Sequence, residues 1–142
     1  MTSYAPAGPA RGVLTSVTGP LGVAALAAAA VGVVAAVDPN QAGHYPTCPF
    51  LSLTGLACPG CGSLRAVHAL AHGDVGAALG LNLLTVLAIV PLVVIWARWL
   101  VRSRSGVPRS TVAPAPVLWG LLVVVVAFGV LRNLPAFGWL AP

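Results

Sequence analysis

The chain has 142 residues, of which 58% are apolar and only 6% are charged. A soluble domain carries about 25% charged residues, so this composition excludes a soluble globular domain and makes the lipid bilayer the main solvent. The net charge of +5 comes from arginines that are scattered singly, a pattern that does not indicate nucleic-acid binding. The bias towards Ala, Val, Arg and Pro is typical of a GC-rich bacterial gene, so we expect the bacterial cytoplasmic (inner) membrane.

Residues 1–16 have the Pro, Gly and Ser content of a disordered tail, and the first long apolar run follows at 17–37. This uncharged run is long enough to cross a hydrocarbon core, which needs about 20 helical residues. A signal peptide is the alternative, but its apolar core spans only roughly 7–15 residues, and the exit sequence AAVDPN is a poor cleavage site. The pattern therefore predicts an uncleaved transmembrane helix.

The segment 38–74 contains all three cysteines, and its prolines and glycines favour ordered turns. Apolar residues at helical spacing predict a short amphipathic interfacial helix over 63–72. Gly73 and Asp74 are typical of a helix end and of the cap of the next helix. One polar stripe runs along the predicted helix and consists of Cys61, Arg65, His68 and His72.

Two further apolar runs predict transmembrane helices at 81–101 and 117–134, and the second of these contains Arg132 near its end. The connecting loop 102–116 is rich in arginine, which places it in the cytoplasm by the positive-inside rule. We therefore expect a cytoplasmic N-terminus and an exterior cysteine loop. The predicted fold is an all-α integral membrane protein in which residues 17–142 form a single domain.

Three interpretations of Cys48, Cys58 and Cys61 remain open. The first is a metal site, since three thiolates and one imidazole are a common ligand set for zinc, and iron is the other candidate. His44 is near Cys48 in the chain and is the predicted fourth ligand. His68 is a poorer candidate because about 10 Å of helix separates it from Cys61.

The second interpretation is thiol–disulfide chemistry, in which Cys58 and Cys61 cycle and Cys48 resolves the bond. Cys61 precedes a predicted helix, where the helix dipole and Arg65 would favour the thiolate. No thioredoxin-like pattern surrounds the motif. The third interpretation is a structural disulfide that leaves one cysteine spare, which is ordinary outside the cell.

The loop resembles a family of small bacterial membrane proteins known as domain of unknown function 2752. The resemblance rests on the residues CPF at 48–50, TGLACPGCG at 54–62, Arg65, the GD pair at 73–74, Asn82 and the RN pair at 132–133. Ser63-Leu64 and Leu83 depart from the family pattern. No established activity comes with the resemblance.

The resemblance does group five polar residues with the cysteines, namely Arg65, Asp74, Asn82, Arg132 and Asn133. Charged groups at membrane depth usually face protein or a wet cavity. We expect Arg65 and Arg132 to pair with Asp74, with Asn82 nearby. This network either joins the helices and the loop into a cap, or forms a pocket for an anion or lipid headgroup.

The sequence therefore predicts a membrane scaffold whose cysteine cluster, Cys48, Cys58 and Cys61, organises an exterior cap, through a metal ion that His44 also binds. Its partners would be the lipid bilayer and another membrane protein or a second copy of the chain. A membrane thiol–disulfide oxidoreductase is the alternative, and the sequence leaves open whether the protein is an enzyme.

Overall fold

The computed structural model describes residues 9–105 and 113–141, with side chains from residue 17 onward. The regular structure of the described part is entirely helical, with no strand, and turns and loops connect the helices. Its helices are α1 (Pro9–Ala36), α2 (Pro49–Thr54), α3 (Ser63–Ala71), α4 (Val75–Leu81), α5 (Leu83–Arg104), α6 (Ala115–Leu131) and a final 3₁₀ helix, Pro135–Leu140. The all-helical class is as predicted.

Two of these helices are long and apolar enough to cross a membrane, at Val17–Ala36 and Leu83–Arg104. The third apolar helix, α6, has 17 residues and is shorter than that requirement, being about 26 Å long at 1.5 Å per residue. The helix that contains the first predicted span extends beyond it at the N-terminal end. Helix α1 begins at Pro9, so residues 9–16 are helical where the composition indicated a disordered tail.

Other parts of the predicted organisation lie outside the described residues. These are residues 1–8 of the predicted tail, residues 106–112 of the predicted cytoplasmic loop, which include Arg109, and the last residue of the predicted domain, 142.

Helices α1 and α5 pack against each other along their apolar lengths. The indole Nε1 of Trp96 donates a hydrogen bond of 2.9 Å to the carbonyl oxygen of Pro20. The ring of Trp99 lies against Gly19, where an added Cβ would be 3.1 Å from it. A glycine at a contact between membrane helices lets the partner approach closely, so this pair forms the stem of the molecule.

Between α1 and α5 the chain folds into a cap, which we define as residues 38–82. The predicted interfacial helix is present as α3, and Gly73 follows it with φ +81°, a left-handed conformation that favours glycine. The small residues Ala66, Ala69 and Ala78 form a buried cluster between α3 and α4, with Val86 of α5 against it. The cap is thus packed onto the start of α5.

Asn82 sets the boundary between the cap and the stem. Its backbone is extended, and its side-chain oxygen accepts the N–H of Thr85 at 2.9 Å, which caps the N-terminus of α5. The second span therefore begins at Leu83 rather than at 81, because a capping asparagine interrupts the helix there.

Candidate metal centre

The three cysteines come together in the cap. The sulfur of Cys58 lies 3.4 Å from that of Cys48 and 3.2 Å from that of Cys61. All three sulfurs lie within 4.8 Å of one another, and all three cysteines are free thiols. Cys61 is buried, whereas Cys48 and Cys58 are half-buried. The cluster is therefore open on one side.

Local turns bring these sulfurs into position. Cys48 lies immediately before α2, and Pro49 occupies the first helical position, where its fixed φ and missing N–H cost little. Cys58 and Cys61 are the ends of a tight turn, residues 58–61, in which the N–H of Cys61 donates to the carbonyl of Cys58 at 3.0 Å. We call this segment the C-x-x-C turn. Gly62, with φ +81°, then directs the chain into α3.

The electrostatic surroundings of the thiols differ. The backbone N–H of Leu51, and after it the Cys58 thiol, lower the pKa of Cys48 to about 7. Burial, and after it the neighbouring Cys58 thiol, raise the pKa of Cys61 to about 11. Cys48 is thus the more readily ionised of these two thiols. The sequence pattern indicated the opposite, since it placed the favoured thiolate at Cys61.

The C-terminal end of α6 holds the C-x-x-C turn from one side. The Nη1 atom of Arg132 donates to the carbonyl oxygens of Cys58 at 2.8 Å, Cys61 at 3.1 Å and Pro59 at 3.4 Å. Asn133 binds the backbone of Ala57, accepting its N–H and donating to its carbonyl, both at 2.8 Å. These two residues attach α6 to the cysteine loop.

Asn82 holds the same turn from the side of α5. Its side-chain nitrogen donates to the carbonyl oxygens of Pro59 and Cys61, both at 2.9 Å, and to the hydroxyl of Ser63 at 3.2 Å. The hydroxyls of Ser63 and Thr85 lie 2.8 Å apart and connect α3 to α5. A turn with this many main-chain partners is fixed in place, and so are the sulfurs at its two ends.

Gly129 was not singled out from the sequence, although it belongs to this arrangement. An added Cβ at Gly129 would lie 2.8 Å from Cγ and 3.2 Å from Cδ of Pro59. The missing side chain therefore lets α6 touch the C-x-x-C turn. A glycine within the apolar run VVVVAFGVL is a signal for such a close helix contact, and it could have identified this position.

The predicted fourth ligand, His44, does not join the cluster. It is exposed, and its Nδ1 lies 3.2 Å from the carbonyl oxygen of Asp38. Among the described residues, the cysteines alone form a group with metal-ligand spacing. The prediction of His44 as a ligand does not agree with this placement, because the turn at residues 38–44 directs its ring to Asp38.

The residues of the predicted polar stripe along α3 do not act together at the cysteine cluster. His68 joins α3 to α1, with Nδ1 2.8 Å from the carbonyl oxygen of Val34 and Nε2 3.8 Å from the carboxylate of Asp38. His72 lies beside it, with ring centroids 4.4 Å apart. Neither histidine approaches the sulfurs closely enough to act as a ligand.

The expected pairing of Arg65 and Arg132 with Asp74 is not formed. Asp74 is exposed, and its carboxylate accepts the N–H of Ala77 at 2.8 Å, capping α4. Arg132 binds carbonyl oxygens instead, and Arg65 lies half-buried on α3. Asn82, Arg132 and Asn133 therefore act on the cysteine turn, whereas Arg65 and Asp74 do not join them in one network.

The fold and the site together define an all-helical protein with two candidate membrane-spanning helices and a three-cysteine cluster of metal-binding dimensions. Residues 48–96 match the family described as a protein of unknown function, DUF2752. The match confirms the resemblance indicated by the cysteine motif. It covers the three cysteines and Asn82 and ends before Arg132 and Asn133, so it is shorter than the stretch 48–132 from which the motifs were taken.

A search of curated proteins and a search of solved structures each found no match.

Proposed function

We propose that this protein is a membrane-embedded metal-binding protein whose ion is held by Cys48, Cys58 and Cys61. The observation that carries the proposal is the convergence of the three sulfurs within 4.8 Å. Zinc–thiolate bonds of about 2.3 Å in a tetrahedral site separate neighbouring sulfurs by about 3.8 Å. The sulfurs of Cys48 and Cys61 lie 3.4 and 3.2 Å from that of Cys58, so small side-chain adjustments suffice.

Soft thiolate ligands select zinc or iron among the abundant metals. Three protein ligands leave one coordination position of a tetrahedral ion for water or another small ligand. Such an open position is typical of catalytic zinc sites, whereas structural zinc sites have four protein ligands. The half-buried Cys48 and Cys58 lie on the open side of the cluster. The ion would also stabilise the cap, since it joins the start of α2 to the C-x-x-C turn.

The proposed topology has three membrane crossings, with the cap outside the bacterial cytoplasmic membrane. Its support is the position of α6, whose C-terminal end binds the C-x-x-C turn while its N-terminal end follows the arginine-rich end of α5. A helix of about 26 Å is short for a hydrocarbon core of about 30 Å. Because Arg132 binds the cap, its side chain is removed from lipid, and the short helix α6 would be able to cross the membrane.

We propose the lipid bilayer as the surroundings of the stem. The metal-bound cap would interact with a partner, which would be another membrane protein or a second copy of the chain.

The test is a series of single variants, Cys48→Ser, Cys58→Ser and Cys61→Ser, purified in detergent and analysed for bound zinc and iron. Each variant should lose the metal, because all three sulfurs contribute bonds. Treating the unaltered protein with a chelator should lower its melting temperature. An exposed serine, Ser105→Ala, is the matched control and should retain metal and stability. Full metal content in any of the cysteine variants would contradict the proposed ligand set.

A thiol–disulfide oxidoreductase is the second candidate, and the lowered pKa of Cys48 to about 7 favours it. The Cys48 thiolate would attack a disulfide of a substrate protein, forming a mixed disulfide and releasing one substrate thiolate. Cys58, 3.4 Å away, would then attack the Cys48 sulfur. That second step releases the other substrate thiolate and leaves a Cys48–Cys58 disulfide. The variant Cys58→Ser should trap the mixed disulfide, and the absence of any trapped species would count against this function.

A further inference from the structure

Arg132 is a buried cation with hydrogen-bond donors that no described residue accepts. Its side chain is only 2% exposed. All hydrogen bonds from the Arg132 side chain to the C-x-x-C turn come from one nitrogen, Nη1. The other two nitrogens, Nε and Nη2, are buried and have no partner among the described residues. Leaving buried donors of a charged group unsatisfied is costly. An acceptor that forms only in another state of the site would remove this cost.

No carboxylate of the described chain supplies a counter-charge. The two aspartates are engaged elsewhere, Asp38 near His68 and Asp74 at the N-terminus of α4. The guanidinium instead lies 5.1 Å from the centre of the Phe128 ring, and its strong hydrogen bonds reach the carbonyls of the two turn cysteines. Arg132 is therefore hydrogen-bonded to the main chain of the two cysteines whose thiols become anionic when a metal binds.

The charges balance when the cluster is loaded. Three thiolates around a divalent ion carry a net charge of −1, and a guanidinium carries +1. A neutral thiol is a weak hydrogen-bond acceptor, whereas an anionic sulfur accepts charge-assisted bonds. The two partnerless donors of Arg132 fit the thiolate form of the site better than the thiol form.

We propose that Arg132 is the counter-ion of the metal–thiolate centre and donates N–H···S hydrogen bonds to the metal-bound sulfurs of the C-x-x-C turn. This inference rests on the proposed metal site. Arg132 is a positioning residue, since it acts through the sulfurs and does not bind the ion. Residues behind the ligands tune metal affinity and the electronic character of the centre. The partnerless donors are enclosed by protein, so an anion from solvent is a poorer candidate for their acceptor.

The experiment is a Co²⁺ titration of the full-length protein in detergent, comparing the unaltered protein with Arg132→Gln and Arg132→Lys. Co²⁺ bound by thiolates gives a sulfur-to-metal charge-transfer band, and hydrogen bonds to the sulfur move that band to shorter wavelength. Arg132→Gln should therefore move the band to longer wavelength and weaken Co²⁺ binding about 10–100-fold. Arg132→Lys should recover part of the affinity, because the positive charge remains, yet still shift the band.

The matched control is Asn133→Ala, which removes the neighbouring attachment of α6 to Ala57 but leaves the guanidinium in place. It should lower the melting temperature and also weaken Co²⁺ binding, because it loosens the cysteine loop, but it should not move the band. A purely structural role for Arg132 predicts that Arg132→Gln and Asn133→Ala behave alike.

The outcomes separate the two proposals. An unaltered protein that binds neither Co²⁺ nor zinc overturns the metal site, and this inference falls with it. Binding by the unaltered protein, with the band and affinity unchanged in Arg132→Gln, overturns only the role of Arg132. If Arg132→Gln does not fold, Arg132→Lys decides the matter, and an unshifted band in that variant contradicts the N–H···S bonds.

Discussion

The buried side chains of Asn82 and Arg132 and the half-buried side chain of Asn133 act on the main chain of the cysteine loop. Arg132 and Asn82 converge on the carbonyl oxygens of Pro59 and Cys61, and Asn133 binds Ala57 in both directions. Buried polar groups are retained where their hydrogen bonds are made. At the scale of single residues, the close approach of the three sulfurs thus depends on hydrogen bonds that hold the main chain of the cysteine loop.

Asn82 is the residue whose removal should loosen the turn most simply. Asn82→Ala deletes the donor to two carbonyls and the cap of α5, and leaving such groups unpaired costs about 1–3 kcal/mol. We expect a lower free energy of unfolding and a reduced metal content, measured by denaturation in detergent and by elemental analysis. The exposed Asn40→Ala should change neither quantity, and equal effects of the two variants would argue against the attachment.

The thiols should differ in reactivity once metal has been removed by a chelator. The thiolate is the nucleophile, so Cys48, with a pKa of about 7, is half ionised near neutral pH, whereas Cys61, with a pKa of about 11, stays protonated. Alkylation of Cys48 should rise with pH through about 7, and Cys61 should remain unmodified until the protein unfolds. Mass spectrometry of the alkylated protein checks this order. Faster labelling of Cys61 would contradict it.

At the scale of helices, α6 is placed by its last turn. Gly129 lies against the ring of Pro59, and Arg132 and Asn133 follow it at the helix end. The stem pair uses the same device, since Gly19 lies against Trp99. These helices pack through close contacts at small residues rather than through burial of large apolar side chains. Such packing is expected where lipid surrounds the helices.

Gly129→Ala should therefore displace the C-x-x-C turn. A methyl group 2.8 Å from Pro59 forces overpacking, which costs about 1–3 kcal/mol, and we expect a lower melting temperature together with weaker metal binding. Gly120→Ala is the matched control on the same helix, where no atom lies within 4 Å of the added Cβ. That variant should be neutral or slightly stabilised. A neutral Gly129→Ala would show that α6 does not pack as described.

The longer helices and α3 were predictable because each depends on local pattern, whereas α2 and the final 3₁₀ helix were not predicted. Apolar run length indicated α1 and α5, and the spacing of small and apolar residues with Gly73 and Asp74 indicated α3 and its end. The family resemblance grouped Arg132 and Asn133 with the cysteines, but their binding to the main chain was not predictable from local pattern, since it depends on contacts between residues 57–61 and 129–133, which are remote in sequence. Asp74 illustrates the limit, because a carboxylate near arginines suggested an ion pair while local geometry used it as a helix cap.

The residues of the candidate site were also predictable only in part. Cys48, Cys58 and Cys61 were recognisable as a ligand set from residue type, and the structure brings them together. His44 was chosen for its nearness in sequence alone, and the turn at 38–44 directs it to Asp38. Nearness in the chain is a poor guide to ligation where prolines and glycines set the direction of a loop.

For the molecule as a whole, the number of membrane crossings determines whether the cap and the C-terminal segment lie on the same side of the membrane. The three crossings that we propose would place the cap and residue 142 on the same, exterior side. Alkaline phosphatase fused after residue 142 should then be active and green fluorescent protein fused there should be dark. Fusions after Ser105 should show the reverse. Fluorescence at residue 142 would mean that α6 does not cross the membrane.

The central claim is that the three cysteines bind a metal ion in the native protein. It is tested most directly by elemental analysis combined with a free-thiol count, on protein purified in detergent without chelator or reductant. We predict about one zinc or iron ion per chain, with the thiols unreactive until the ion is removed or the protein is denatured. Protein with no bound metal and a single free thiol would contradict the account and would indicate a disulfide in its place.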